Sequence, residues 1–378
     1  MHYTLRHFDT PLVRFSAEHG AEPSIRILWT DENHLELLPL EFERQVDAER
    51  LEAWLRHRTI PRNRAYVDAI LASQGLSPNR PMDVIRLSKG LSLNDCHWVT
   101  EEGFDGTFAQ FNLYDNKFSR VLGEIAFTGH GSDSGSRISS SPEFTTNGML
   151  PKCWRRQNGI VKLYKGGTEG ASNTGNEPYA EYYASQLAET LGLNAVAYSL
   201  AKWKGRLCSV CNMFTSKDIA FIPVGRLVTK GGMAAVRTCC ESLGKPFADA
   251  LKEMIVFDAL IWNTDRHFGN FGFLVDSHAN RIIAPAPLFD HGNALFNLAP
   301  LDAFENLAAM RKYARTLQPR VYDDFVTTAK AVITHEQRNA LRKLLNFKFK
   351  RNPRYNWEKH RLAMVEKMLS ERTSELLE

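Results

Sequence analysis

The chain has 378 residues, enough for two or three units of about 150 residues each. Hydrophobic residues make up 43% and charged residues 24%, while the 24 glycines and 16 prolines are scattered, which excludes a fibrous or disordered chain. Forty-seven Lys and Arg against 43 Asp and Glu give a net charge of +4, compatible with anionic ligands but too small to argue for nucleic-acid binding. No apolar run reaches the roughly 18 residues of a membrane span, and the start MHYTLRHFDTPLVRF has no basic segment followed by an apolar one. Neither a membrane helix nor a signal peptide is expected. The six cysteines (Cys96, Cys153, Cys208, Cys211, Cys239 and Cys240) are sparse and include an adjacent pair, so they read as reduced thiols of a cytoplasmic protein.

In chain order, Ser24–Trp29 reads as a strand followed by a turn at 31–33. Two helices follow, Asp47–Arg58 with Leu51, Trp54 and Leu55 on one face, and Arg64–Gln74 ending at Gly75. Residues 110–118 read as strand or loop. Residues 129–148 are dense in Gly, Ser and Thr and read as a linker or ligand-wrapping loop. Gly159–Tyr164 alternates as a strand, and Tyr179–Leu191 is a helix stopped by Gly192. Ala195–Trp203 and Leu207–Phe214 form strands around Lys204-Gly205. Phe247–Ile261 is an amphipathic helix, Phe271–Val275 and Arg281–Leu288 a hairpin, and the chain from Leu301 onward is helical in pattern. No internal repeat is found. A β-containing front and an α-rich back predict two lobes.

The chemistry concentrates in Leu260–Phe273, where an apolar helix runs into the polar cluster Asn263-Thr-Asp-Arg-His and an apolar strand leaves it. Polar groups between two core elements need partners, or each costs about 1–3 kcal/mol. Asp265 and Asn270 have the Asp-x-x-x-x-Asn spacing of the protein-kinase catalytic loop, where the Asp accepts the proton of the attacking hydroxyl and the Asn holds Mg²⁺. Ala286-Pro-Leu-Phe-Asp-His-Gly292 then sets Asp290 at the end of an apolar strand, as in the Asp-Phe-Gly segment of kinases. Asn270 and Asp290 supply the oxygen donors that a hard cation takes alongside phosphates. Upstream, Lys162 lies inside the apolar strand Ile-Val-Lys-Leu, where a cation needs an anionic partner, and Glu181 on the next helix is the candidate. The preceding loop Thr145–Lys152 has a single glycine, so it is neither a G-x-G-x-x-G cradle nor a Walker loop.

These motifs together resemble the HipA family of serine/threonine kinases, the toxin side of bacterial HipBA-type toxin–antitoxin pairs. The family's Ser/Thr-x-x-Gly-x-x-Pro/Glu-Lys loop is matched by Thr145, Gly148, Pro151 and Lys152. Its Glu-Tyr-Tyr-x-x-x-Leu-Ala-x-x-Leu-Gly-Leu helix is matched by Glu181–Leu193, and its Asp-Arg-His-x-x-Asn and Ala-Pro-x-x-Asp pieces by 265–270 and 286–290. The match spans roughly residues 145–295. The resemblance implies an α+β, bilobal, protein-kinase-like fold with a mixed β-rich N-lobe and an all-helical C-lobe. It divides the chain into an accessory region 1–125, a kinase N-lobe 126–225 and a helical C-lobe 226–378. It makes Asp265 the general base, Asn270 and Asp290 the Mg²⁺ ligands, and Lys162, Glu181, Gly148, Lys152 and His267 the residues around ATP, with His267 shaping the loop. It sets regulatory autophosphorylation at Thr145 or Thr146, with Ser139, Ser140 and Ser141 as neighbouring acceptors.

The same resemblance implies a protein substrate such as an aminoacyl-tRNA synthetase or other translation factor. It also implies a HipB-like helix-turn-helix antitoxin partner, contact with DNA only through that partner, and no membrane. Two alternatives remain open at this point: a catalytically silent kinase-like module acting as co-repressor, and a phosphoinositide-type kinase, since Asp-Arg-His-x-x-Asn occurs there too. A zinc reading of Cys208-Ser-Val-Cys211 with Cys239-Cys240 fails on spacing, and the basic stretch 335–368 reads as a solvated helical face.

Overall fold

In the computed structural model, residues 1–18, 20, 24–131, 141–170 and 173–378 are described. They divide into two compact units, one made of Met1–Lys165, Met213–Ile222 and Leu274–Ile283, the other of Gly166–Asn212, Pro223–Phe273 and Ala284–Glu378.

The first unit begins with an antiparallel hairpin, β1 (His2–His7) and β2 (Thr10–Ala17). With β3 (Ile25–Thr30) and β4 (His97–Glu101) it makes a sheet in the order β3-β2-β1-β4. Alternation sends Tyr3, Leu5, Val13 and Phe15 to one face, where they meet Phe42 and the Leu51, Trp54 and Leu55 stripe of α1 (Ala48–Arg56). Asp47 starts α1 by accepting the Arg50 amide at 2.8 Å. The second helix is shorter than its sequence pattern suggests: α2 is Val67–Ala72, because Tyr66 takes a left-handed φ of 60° and the Ala65 amide donates to the Met149 carbonyl at 2.7 Å. α3 (Pro81–Ser88) follows. Of residues 110–118 only 110 and 111 are helical, as the end of the single-turn α4 (Phe108–Phe111), whose Thr107 amide is capped by Gln110; 112–118 are turn and loop, the second of the two readings. α5 (Arg120–Thr128) closes at Gly129, with φ +80°. β5 (Lys152–Gln157) and β6 (Ile160–Gly166) join through Asn158-Gly159, both at positive φ, the turn an Asn-Gly pair favours between right-twisted strands.

The second unit starts with α6 (Glu177–Leu191), stopped by Gly192 as expected, and the hairpin β7 (Tyr198–Trp203) and β8 (Arg206–Asn212) around Lys204-Gly205. The chain then supplies β9 (Ile219–Pro223), α7 (Val224–Leu227), α8 (Gly232–Leu243), α9 (Lys245–Ile261), β10 (Gly272–Asp276) and β11 (Arg281–Pro285). The three strands pair in the order β11-β10-β9, largely within the segments that return to the first unit. Beyond β11 the labelled elements are α10 (Leu307–Ala314), α11 (Phe325–Val332), α12 (His335–Leu341) and α13 (Lys359–Leu377). The mixed α+β composition read from the sequence is borne out. No helix among the described residues is long and apolar enough to cross a membrane.

Candidate active site

In the second unit the site begins with a buried charge. α9 is apolar along most of its length, yet its last turn holds Asp258 with no solvent exposure. A carboxylate there faces both desolvation and the negative end of the helix, so it requires a cation. Arg266, also buried, provides it with two bonds, Nε to Oδ2 at 2.8 Å and Nη2 to Oδ1 at 2.9 Å. Burial opposes the guanidinium charge, but the adjoining Asp258 carboxylate outweighs it and holds the Arg266 pKa above its ordinary value. Asn263 donates its amide to the same carboxylate at 2.8 Å.

Arg266 has donors left over, and they tie together the two loops singled out in the sequence. Nη1 donates to the Asn270 carbonyl at 3.0 Å and to the Phe289 carbonyl at 2.7 Å, and Nη2 lies 3.2 Å from His291 Nδ1. The 265–270 loop and the 289–291 segment therefore share one guanidinium. The Asp265 carboxylate accepts from Asn293 Nδ2 at 3.2 Å through Oδ2 and pairs with Arg320 through Oδ1. Asn270 donates Nδ2 to the Asp265 carbonyl at 3.3 Å, which leaves its Oδ1 without a hydrogen-bond partner among the described residues. Asp290 adopts a left-handed φ of 60° and donates its amide to the Tyr198 hydroxyl oxygen at 3.1 Å.

His267 is a structural part of this loop. Its Nδ1 accepts the Gly269 amide at 3.0 Å, and a Cβ on Gly269 would meet the ring at 2.8 Å, so a larger residue there would displace the imidazole. Burial lowers the His267 pKa, partly opposed by Asp265 and reinforced by Arg320. Glu181, on α6, is fully buried and accepts a hydrogen bond from the Ser209 hydroxyl on β8.

The first unit holds the other sequence candidates. The loop before β5 is organised by Arg64, whose Nη1 donates to the Glu143 carbonyl at 2.5 Å and whose Nη2 donates to the Glu143 carboxylate at 2.5 Å and the Lys152 carbonyl at 3.0 Å. Thr145 is buried and donates its hydroxyl to the Leu91 carbonyl at 2.8 Å. Thr146 donates to the Pro142 carbonyl at 2.6 Å and accepts from Trp154 Nε1 at 3.0 Å. Gly148 has φ +92°, and buried Lys152 donates Nζ to the Asn147 carbonyl at 2.9 Å. Ser141 starts the turn by accepting the Glu143 amide, while Ser139 and Ser140 lie outside the described residues. On β6, Lys162 is half-buried opposite Arg155, and its ammonium has no ion-pair partner among the described residues; Lys165, on the other face of the strand, is the buried lysine.

Arg266 is the middle of the Asp-Arg-His motif read from the sequence, whereas Asp258, Asn293, Arg320, Tyr198 and the pair Arg64–Glu143 were not singled out there. Only Asp258 left a signal there, as a carboxylate inside the apolar run Val-Phe-Asp-Ala-Leu-Ile. All six cysteines are free, and among the described residues no group of three or more His, Cys, Asp or Glu side chains is arranged to hold a metal.

No family model matches the chain. HipA in the HipA–HipB–operator DNA complex of Shewanella oneidensis MR-1 aligns over 99% of both chains with a TM-score of 0.56 and 12% identity. The fold is that of HipA. The resemblance read from residues 145–295 thus extends in three dimensions to the whole chain. In sequence, the serine/threonine-protein kinase CtkA of Helicobacter pylori is 27% identical over 135 residues, covering 32% of this chain and 41% of that protein. The crystal structure of the H. pylori proinflammatory kinase CtkA covers 61% of this chain and 90% of that one, at 19% identity and a TM-score of 0.48.

Proposed function

We propose that this protein is a HipA-like serine/threonine kinase that transfers the γ-phosphate of ATP to a protein hydroxyl. The observation that carries the reading is the joining of the Asp265–Asn270 loop and the Phe289–His291 segment by the single buried guanidinium of Arg266, on a HipA-like fold. The donor set fits a hard cation: the Asp290 carboxylate and the Asn270 amide oxygen Oδ1, which has no hydrogen-bond partner among the described residues, with few protein ligands in total. Mg²⁺, when bound with ATP, would neutralise charge on the phosphate oxygens.

In this reading Asn270 and Asp290 hold the ion and Asp265 accepts the proton of the acceptor hydroxyl. Asn293 and Arg320 fix the orientation of the Asp265 carboxylate. Lys162, whose ammonium has no partner in the described chain, reaches the phosphates. Glu181, Gly148, Lys152 and His267 shape the nucleotide surroundings. Most of the rate enhancement comes from positioning and charge neutralisation, as in other phosphoryl-transfer sites.

Thr145 and Thr146 are the autophosphorylation candidates. Both hydroxyls are engaged, Thr145 with the Leu91 carbonyl and Thr146 with the Pro142 carbonyl, so modification requires the loop to leave this arrangement. By analogy with the Shewanella complex, a HipB-like antitoxin is the proposed partner, DNA contact runs through it, and the protein acts in the cytoplasm as a growth-inhibiting toxin on a translation factor.

Incubation with γ-labelled ATP and Mg²⁺ tests the reading. Label should enter the chain or an added acceptor protein for the natural chain and not for Asp265→Asn. A chain that incorporates no label and transfers none to protein in a cell extract would instead be a silent kinase-like module.

A further inference from the structure

Residues 194–196 and 288 begin a parallel ladder. Ala195 lies opposite Leu288, the Leu288 amide donates to the Asn194 carbonyl at 2.8 Å, and the Val196 amide donates to the Leu288 carbonyl at 2.8 Å. Parallel ladders repeat every second residue, so the next donor, the Asp290 amide, would meet the Val196 carbonyl if the strand continued. It does not continue. Asp290 enters the left-handed region at φ 60°, and its amide is met by the phenol oxygen of Tyr198 at 3.1 Å.

The other end of the same peptide unit is also held. The Phe289 carbonyl, which shares its peptide bond with the Asp290 amide, accepts Arg266 Nη1 at 2.7 Å. The Phe289–Asp290 peptide is therefore gripped at its oxygen by a guanidinium and at its nitrogen by a phenol. A peptide held at both polar ends cannot rotate about its flanking φ and ψ without breaking a bond, and its plane sets the direction in which the Asp290 Cα–Cβ bond leaves the chain. Left-handed φ costs a non-glycine residue about 1–2 kcal/mol, though Asp tolerates it better than most, so the conformation persists only where its surroundings fix it.

We propose that Tyr198 is a positioning residue for Asp290: its hydroxyl, working against Arg266 on the opposite end of one peptide, aims the Asp290 carboxylate. The inference rests on the reading of Asp290 as a metal ligand. Tyr198 suits the task because it is anchored at the start of β7, opposite Cys211 of β8. Arg266 cannot serve as the probe, because its removal strands the Asp258 carboxylate; Tyr198→Phe removes one oxygen and leaves the ring.

The test compares binding of a non-hydrolysable ATP analogue by calorimetry in Mg²⁺ and in EDTA, for the natural chain, Asp290→Asn and Tyr198→Phe. The ratio of the two affinities should collapse towards unity in Asp290→Asn and fall roughly three- to tenfold in Tyr198→Phe, the effect of one hydrogen bond. Affinity in EDTA should stay unchanged in Tyr198→Phe, and the melting temperature should fall by no more than the loss of one hydrogen bond gives. A natural ratio in Tyr198→Phe, or equal losses with and without Mg²⁺, overturns the role of Tyr198 while leaving Asp290 as ligand. A natural ratio in Asp290→Asn overturns the metal reading itself. Independently of any variant, hydrogen exchange of the natural chain should show a protected Asp290 amide, and rapid exchange there would refute the clamp.

Discussion

Arg64 and Glu143, 79 positions apart, meet as an ion pair at 2.5 Å with both side chains out of solvent. Burial raises the Glu143 pKa, and Arg64 opposes that rise. The guanidinium also binds the carbonyls of Glu143, Thr146 and Lys152, so residue 64 of the front region organises the loop that carries Thr145, Thr146 and Gly148. Removing one partner of a buried pair leaves an uncompensated charge and costs about 3–5 kcal/mol, whereas replacing both with apolar residues is often close to neutral. Denaturant unfolding should show that loss for Arg64→Met and recovery of most of it in Arg64→Met/Glu143→Met. Additive losses in the double variant would mean that the two residues act separately.

Asp265→Asn should keep the melting temperature and lower phosphoryl transfer by about 10²–10⁴-fold, the usual contribution of a positioned general base. Arg320, whose side chain is 56% exposed, shares that carboxylate. Exposed pairs contribute little, so Arg320→Gln should lower the rate by less than about tenfold. A loss in Arg320→Gln equal to that in Asp265→Asn would make the arginine part of the transfer step.

Gly148→Ala addresses the loop before β5. At φ +92° a side chain is strained by about 1–2 kcal/mol, and the new Cβ would collide with Lys152 Nζ, which must leave the Asn147 carbonyl. The variant should lose stability of that order in thermal melting and bind an ATP analogue more weakly. Unchanged nucleotide affinity would detach Gly148 and Lys152 from the nucleotide.

Acid sensitivity should arise at His7 on β1. Burial, the adjoining His97 and, more weakly, His278 lower its pKa from 6.5 to about 3, with Asp95 and the Ser277 backbone opposing. The unfolded chain then takes up the proton first, so stability is complete above about 6.5 and declines as pH falls towards 3. The slope from this group is about 1.4 kcal/mol per pH unit. His7→Phe should flatten the acid limb of denaturant-measured stability between pH 6 and 4, and an unchanged limb would assign it to other groups.

Local elements with local causes were legible in the sequence. The Lys204-Gly205 turn, the Gly192 stop and the apolar stripe of α1 each depend on residues within a few positions of one another, so spacing alone predicts them. The β1–β2 hairpin escaped because its inward positions include His7, and because it is completed by β4, roughly ninety residues on. The second helix was read too long because an Ala65 amide bond to Met149 and the turn at Tyr66 leave no mark on periodicity.

Residue types and short intervals were enough to nominate Asp265, Asn270 and Asp290, since polar side chains set between apolar runs must find partners. What aims them belongs to the folded chain alone. Arg266 acts on a carbonyl 23 positions away, Tyr198 on an amide 92 positions away and Arg64 on a carbonyl 88 positions away. Every residue but proline carries the same backbone donor and acceptor, so no pattern of letters announces which of them a buried side chain will meet; only packing decides that.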